Sequence, residues 1–226
     1  MTAREFTGAY LASRGWDKPV VLDEELMIEY PICLYTFEDR RVFALAPEIE
    51  EGMELVDPQA ELAQVLQCLF DLDQVRAVKE SVTGFYAPRP QIGERLPAIA
   101  DEGALADLFQ AMDETDSILG EVTAADDFTC CILENGRMLA AAGAVRMGKI
   151  ADISVAVHPE CRGQGLSARV TAALIRKIQG AGCVALYRAQ HNNLPSLRLA
   201  QGLGLRRGFL MEGVQLIFPQ EDILAP

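Results

Sequence analysis

Residues 150–167 read IADISVAVHPECRGQGLS. The first part alternates: Ala151, Ile153, Val155 and Val157 point one way and Asp152, Ser154 and His158 the other, the period of a β-strand. From 166 to 179 the apolar positions are Leu166, Val170, Leu174 and Ile178, four apart, the spacing of one helix face. Between strand and helix stands Arg162-Gly163-Gln164-Gly165. Glycines let a chain turn sharply and leave backbone N–H groups uncovered. The helix that follows adds four N–H groups without an internal acceptor and the positive end of its dipole. Such a turn suits a phosphate or diphosphate, and Arg162 adds a cation. The turn lacks the Lys-Ser/Thr of a P-loop and the third glycine of a dinucleotide fingerprint.

Elements of matching character lie on both sides of this segment. Residues 98–112 place Leu105, Leu108, Phe109 and Met112 on one helical face. Residues 127–134 and 137–147 flank Asn135-Gly136, the strongest hairpin signal in the chain. After the 166–179 helix come a strand over 183–189, a helix over 194–201, and strands over 205–211 and 214–218. This order implies an α/β fold with a mixed sheet covered by helices. Upstream, 19–30 and 32–46 read as short strands with a turn at Glu38-Asp39-Arg40, and 58–70 as a helix. Two prolines and two glycines in 84–96 predict a linker, so a domain boundary is expected near 90. That gives an N-terminal α+β region over 1–90, an extension or small domain, and a second domain over 91–226.

The 226 residues are half hydrophobic and 23% charged, which is globular and excludes a disordered or fibrous chain. A chain of this length buries roughly 70% of its unfolded surface and needs no disulfide or metal staple. Its six cysteines form no CxxC pair, and there are only two histidines, so no metal site is expected and a reducing compartment is. No basic and apolar leader opens the sequence, and no uncharged apolar run reaches about 18 residues, so a soluble, cytoplasmic protein without membrane contact is expected. The net charge is −13, unevenly spread: residues 1–150 hold 28 acidic and 12 basic residues, residues 151–226 hold 5 and 8. Nucleic acid is a poor partner for so acidic a chain. The basic C-terminal third suits a small anion, and the acidic remainder suits a cationic substrate or simple solubility.

The segment around Arg162 resembles the Arg-x-x-Gly-x-(Gly/Ala) signature of the GNAT superfamily of acyl-CoA-dependent N-acyltransferases, in Arg162, Gly165 and Ser167. Val157-His158-Pro159 is similar to the strand end that precedes it in that family. A second family feature, an Asn heading the next helix, is matched by Asn193-Leu194-Pro195-Ser196 and the run Leu199-Ala200-Gln201-Gly202. The resemblance covers about residues 96–226 and leaves 1–90 unassigned, either a degenerate copy of the same fold or an accessory substrate-binding region. It implies a central twisted mixed sheet flanked by helices.

The resemblance also implies site residues. Arg162, Gly163, Gly165, Ser167 and Ala168 would hold the diphosphate of acetyl-CoA. Val155 and Val157 would bind its pantetheine arm through main-chain groups, with an N–H near Val157 at the thioester oxygen. Asn193 and Ser196 would contact the arm from the other side, although Asn193 equally suits a plain helix N-cap. Attack by an amine needs a proton acceptor. Asp152 is the leading choice, with a carboxylate on a solvated strand edge as the plain alternative. His158 has a fitting intrinsic pKa but adjoins Pro159, where a structural or solvent-exposed place is expected. The family's Tyr, often the proton donor to the leaving thiolate, is replaced by Ala200, and Tyr187 on the neighbouring strand is the substitute. Cys161 is taken as a tolerated small residue.

The function expected is transfer of an acyl group, most simply acetyl, from acyl-CoA to a primary amine by direct attack in a ternary complex. The amine would be a small molecule or a peptide, and Asp113-Glu114-Thr115-Asp116 is a possible cation lure. The alternative is a non-catalytic acyl-CoA-binding or sensor module, which Ala200 favours. A nucleotide-phosphate site is a third. Phe209, Leu210, Ile217 and Phe218 suit either a homodimer or an ordinary core.

Overall fold

The structure, a computed structural model, describes residues 1–28, 30–70, 76–113 and 120–217. Packing divides the chain into two units, and not by a single cut near residue 90. Met1–Gly15, Gly84–Ala189 and Asn193–Gly208 form one unit. Trp16–Thr83, Gln190–Asn192 and the described residues from Phe209 onward form the other.

The unit that carries the glycine turn contains helix α1 (Ala3–Arg14), helix α3 (Glu102–Gln110), strands β5 (Phe128–Glu134), β6 (Arg137–Met147), β7 (Ile150–Val157) and β8 (Val184–Gln190, to Ala189), helix α4 (Leu166–Gly180) and helix α5 (Leu194–Gly202). Strand β6 runs antiparallel to β5 and to β7, and β8 lies parallel to β7, so the sheet is mixed as expected. Asn135 and Gly136 have φ of 51° and 82°, the two left-handed positions of a type I′ turn, which joins β5 to β6. Both faces of the sheet are covered. On one, Ala151, Ile153, Ala185 and Tyr187 pack with Val170, Leu174 and Ile178 of α4 and Ala200 of α5. On the other, Cys131, Ala141 and Ala156 pack with Ala104, Leu105 and Leu108 of α3.

Two parts of this unit carry little signal in the sequence. Helix α1 is held by a capping box between Thr2 and Glu5 and buries Phe6, whose ring stacks on Tyr86 at 4.7 Å. The expected linker is instead a strap along α4. Gln91 N–H donates to Gln179 Oε1, Gln179 Nε2 to the Arg89 carbonyl and Arg176 Nη1 to the Gly93 carbonyl, all within 3.1 Å. Arg169 Nε meets Glu94 Oε1 at 2.7 Å. The prolines and glycines that suggested a free linker let an irregular chain lie flat on a helix whose side chains supply its hydrogen bonds. A Cβ on Gly93 would come within 2.9 Å of the Ala172 carbonyl carbon and oxygen, so only glycine fits this approach.

The second unit contains β1 (Val20–Leu22), β2 (Ile32–Phe37), β3 (Arg41–Leu45), a 3₁₀ segment (Pro47–Leu55), α2 (Leu62–Leu69), the Arg76–Thr83 part of β4 (Arg76–Tyr86) and most of β9 (Arg206–Ile217). Its sheet is also mixed: β1 is parallel to β3, while β2 is antiparallel to β3 and to β9. Leu62, Val65 and Leu66 of α2 cover Ile32, Leu34, Phe43, Leu45, Val214 and Leu216. Strand β4 had no counterpart in the sequence analysis. The two strands expected over 205–211 and 214–218 are one continuous strand, β9. Gly213 does not break it, because Gly213 pairs with Cys33, and its missing Cβ makes room for the Cys33 Sγ. Phe209 is core, T-stacked on Tyr35 and Phe37; Phe218 lies outside the described residues. Among the described residues no helix is long and apolar enough to cross a membrane.

The strap predicts a specific cost. Gly93→Ala forces the strap off α4 and should lower unfolding stability by about 1–3 kcal/mol in a denaturant titration; an unchanged midpoint would show that the strap is dispensable.

Candidate functional site

The site forms where β7 meets α4. The peptide groups of β7 alternate in direction. His158 N–H donates to the Leu139 carbonyl on β6, so the main-chain groups of Ser154, Ala156 and His158 face β6, and those of Val155 and Val157 face the opposite edge. On that edge the pairing with β8 runs Ile150↔Val184, Ala151↔Ala185, Asp152↔Leu186, Ile153↔Tyr187 and then stops. Val155 and Val157 therefore present main-chain N–H and C=O groups to a gap where β8 has parted from β7. Their side chains are half-buried against the α4 side of the core.

Beyond β7, Pro159–Cys161 makes a single 3₁₀ turn and the chain enters α4 through Gly163 and Gly165, with φ of 76° and 77°. A β-carbon at either glycine would meet no protein atom within 4 Å. The left-handed backbone demands glycine here, and the space outside it is open. The first α4 hydrogen bond runs from Arg169 N–H to the Gly165 carbonyl, and Gly165 caps without a side chain. The six N–H groups from Gly163 to Ala168 thus have no acceptor among the described residues. Gly163 and Gly165 are exposed, Ser167 and Ala168 half-buried, and Arg162 is exposed beside them. A ring of N–H donors at the positive end of a 15-residue helix is an anion cradle, and it fits a diphosphate.

The turn is braced from outside. Arg137, the first residue of β6, uses Nη2 to reach His158 Nε2 and Glu160 Oε2, each at 2.7 Å. Glu160 N–H donates to His158 Nδ1 at 3.3 Å. The hydrogen bond from Arg137 holds the Glu160 carboxyl below the usual carboxylate range. His158 is buried within this brace, so of the two places expected for it, structural or solvent-exposed, the structure shows the first.

Asp152 and Tyr187 flank the point of parting on opposite faces of the sheet. Residues paired in register share a face, so Tyr187 lies with Ile153 over α4, and Asp152 lies on the α3 face with Arg188. Asp152 Oδ2 meets Arg188 Nη2 at 2.5 Å, with the carboxylate mostly buried and the guanidinium about half exposed. Arg188 had no part in the sequence analysis; only the β7–β8 register shows that it reaches Asp152. Tyr187 is buried, which pushes its phenol above the ordinary tyrosine value. Asn193 caps α5, its Oδ1 accepting from Ser196 N–H at 3.1 Å, so the plain N-cap place for Asn193 is occupied in the structure. Of Asp113–Asp116, only Asp113 is among the described residues. Among the described residues no three His, Cys, Asp or Glu side chains are grouped to hold a metal.

Burial of Tyr187 has a pH consequence. Its phenol binds its proton more tightly in the folded state, so stability is constant below the unfolded value, near 10, and falls as pH rises from there through the folded value. Urea unfolding between pH 7 and 11 should show this loss, and Tyr187→Phe should blunt it. An equal loss in the variant would place the titrating group elsewhere.

The acetyltransferase (GNAT) family profile matches residues 98–205, from the end of the strap to the end of α5. Among solved structures, the chain is similar to a GNAT-family protein of Novosphingobium aromaticivorans, with 22% identity and a TM-score of 0.53 over 65% of this chain and 69% of that one. A GNAT-family acetyltransferase of Colwellia psychrerythraea gives 17% and 0.51 over 70% of this chain and 63% of that one, less than two thirds of its length. A GCN5-related N-acetyltransferase of Sphaerobacter thermophilus gives 14% and 0.52 over 84% and 78%. These likenesses are of fold. No curated protein matches the sequence. With the profile lying across the glycine turn, the parted strands and α5, this part of the chain belongs to the GNAT acetyltransferase superfamily.

Proposed function

We propose that the protein is an acetyl-CoA-dependent N-acetyltransferase that acylates a primary amine by direct attack in a ternary complex. The observation that carries this is the continuity of two open backbone surfaces: the N–H cradle of Gly163–Ala168 and the unpaired edge of Val155 and Val157. Acetyl-CoA supplies an activated thioester carbonyl and a thiolate leaving group.

The chain's own residues then have distinct tasks. The N–H groups of Gly163–Ala168, with Arg162 alongside, bind the diphosphate. Val155 and Val157 hold the arm by main-chain hydrogen bonds, and an N–H near Val157 stabilises negative charge on the carbonyl oxygen. Asn193 and Ser196 close the other wall. Asp152 takes the proton that the amine sheds as the N–C bond forms, and Arg188 keeps its carboxylate aimed. Tyr187 gives a proton to the sulfur as the C–S bond breaks, and solvent restores both groups. Its raised pKa keeps the phenol protonated at neutral pH, the state a donor needs. Acceptor and donor lie on opposite faces of the sheet, so the two proton transfers need not compete for one side chain.

The amine site draws on α3, whose acidic residues Glu102 and Asp107 favour a cationic acceptor. The test is thiol release from acetyl-CoA with benzylamine, spermidine and a lysine-rich peptide. Turnover on at least one amine is expected, and Asp152→Asn should lower kcat by about 10²-fold or more. Saturable CoA binding without turnover on any amine would favour a non-catalytic acyl-CoA sensor. Stabilisation by ATP or NAD but not by CoA would favour a nucleotide site.

A further inference from the structure

We infer that the cleft between α3 and the β5–β6 hairpin is a binding site for a free α-amino acid with an apolar side chain. The cleft has a volume of about 260 Å³ and lies wholly within the unit that carries the glycine turn. Sites for drug-sized ligands measure roughly 300–1,000 Å³, so this one suits a smaller molecule. It is separate from the amine site proposed above. His158, which lines the cleft, stands six residues past Asp152, about 20 Å along extended chain.

Two local features of the sequence build the cleft. On α3, Ala104, Asp107 and Leu108 are spaced i, i+3, i+4 and share one face. On β6, a bulge at Leu139 interrupts the pairing with β5, which runs Ile132↔Ala140 and then Leu133↔Met138. Strict alternation would set Met138 and Ala141 on opposite faces, and the bulge brings both to the α3 side. Ala104, Leu108 and Met138 are buried and form an apolar floor.

Two opposite charges stand on the rim without pairing to each other. Asp107 adds to the acidic field of α3, and its exposed carboxylate has no hydrogen bond or ion pair among the described residues. Arg137 uses Nη2 on His158 and Glu160, which fixes the plane of its guanidinium. Its Nε and Nη1 have no acceptor among the described residues. Glu160 holds Arg137 from outside the cleft, and a guanidinium with five N–H donors can bridge a second carboxylate from within. An ammonium at Asp107, a carboxylate at Arg137 and a hydrocarbon chain over the floor answer the cleft group by group. A plain anion would face Asp107 unpaired, a plain amine would leave Arg137 unanswered, and glycine would leave the floor uncovered.

The test is a titration of the full ¹⁵N-labelled chain, free of acetyl-CoA, with L-leucine, followed by ¹H–¹⁵N correlation spectra. Saturable shifts are expected at Leu108, Gly136 and Met138. Binding should be weaker by about tenfold for 4-methylpentanoate, which lacks the ammonium, and for 3-methylbutylamine, which lacks the carboxylate. Glycine, which lacks the side chain, should also bind about tenfold more weakly. Asp107→Asn, at an exposed position, should weaken leucine about tenfold and leave 4-methylpentanoate unchanged. Equal affinity for leucine and 4-methylpentanoate would overturn the inference. So would leucine shifts centred on Asp152 and Arg188, or no saturable shift at Leu108, Gly136 and Met138 up to about 50 mM, a limit set by millimolar affinity. The titration involves neither acetyl-CoA nor turnover, so its outcome is independent of the acyl-transfer proposal.

Discussion

Strands β7 and β8 stay together for four residue pairs and then separate, and the site depends on that separation. A paired parallel strand would cover the edge of Val155 and Val157 with its own peptide groups. Parting leaves those groups oriented but unanswered, a state tolerated at a surface and costly in an interior. The separation also brings Tyr187 to the brink of the gap while Ile153 still anchors it in register. The α4 face of the sheet stays closed by Val170, Leu174 and Ala200, so the opening is local.

The glycine turn complements this opening. Two left-handed residues in three let the chain enter α4 with its N–H groups facing out, and nothing among the described residues answers them. The Arg137–His158–Glu160 brace ties this turn to the β5–β6 hairpin, and the strap braces the outer face of α4 through Arg169 and Arg176. A donor array acts on an anion most effectively when it need not reorganise, and both braces serve that end.

The glycine turn, the alternation of β7 and the 3.6-residue spacing of α4 are local patterns, and they were legible from residues 150–179 alone. So was the Asn135-Gly136 hairpin, since its turn demands those residues. What the sequence hid depends on long-range partners. The strap reads as a linker because its hydrogen bonds come from helix side chains some 80 to 90 residues away. Helix α1 is amphipathic only weakly, and its place is shown by Phe6 meeting Tyr86. Arg188 meets Asp152 through a parallel register that no local pattern encodes. The two strands expected over 205–211 and 214–218 are continuous through Gly213, which makes a close approach to Cys33. Residues Asp152 and Tyr187 could be placed on strands from periodicity, but their positions on opposite faces emerged only from the register.

The central claim is that outward backbone amides grip the donor. Amide hydrogen–deuterium exchange resolved to single residues, with and without saturating CoA, tests it directly. The account predicts slowed exchange at Gly163–Ala168 and at Val155 and Val157, with little change at Ser154 and Ala156, whose N–H groups already face β6. Binding of CoA that leaves Gly163–Ala168 exchanging as fast as in the free protein would contradict it.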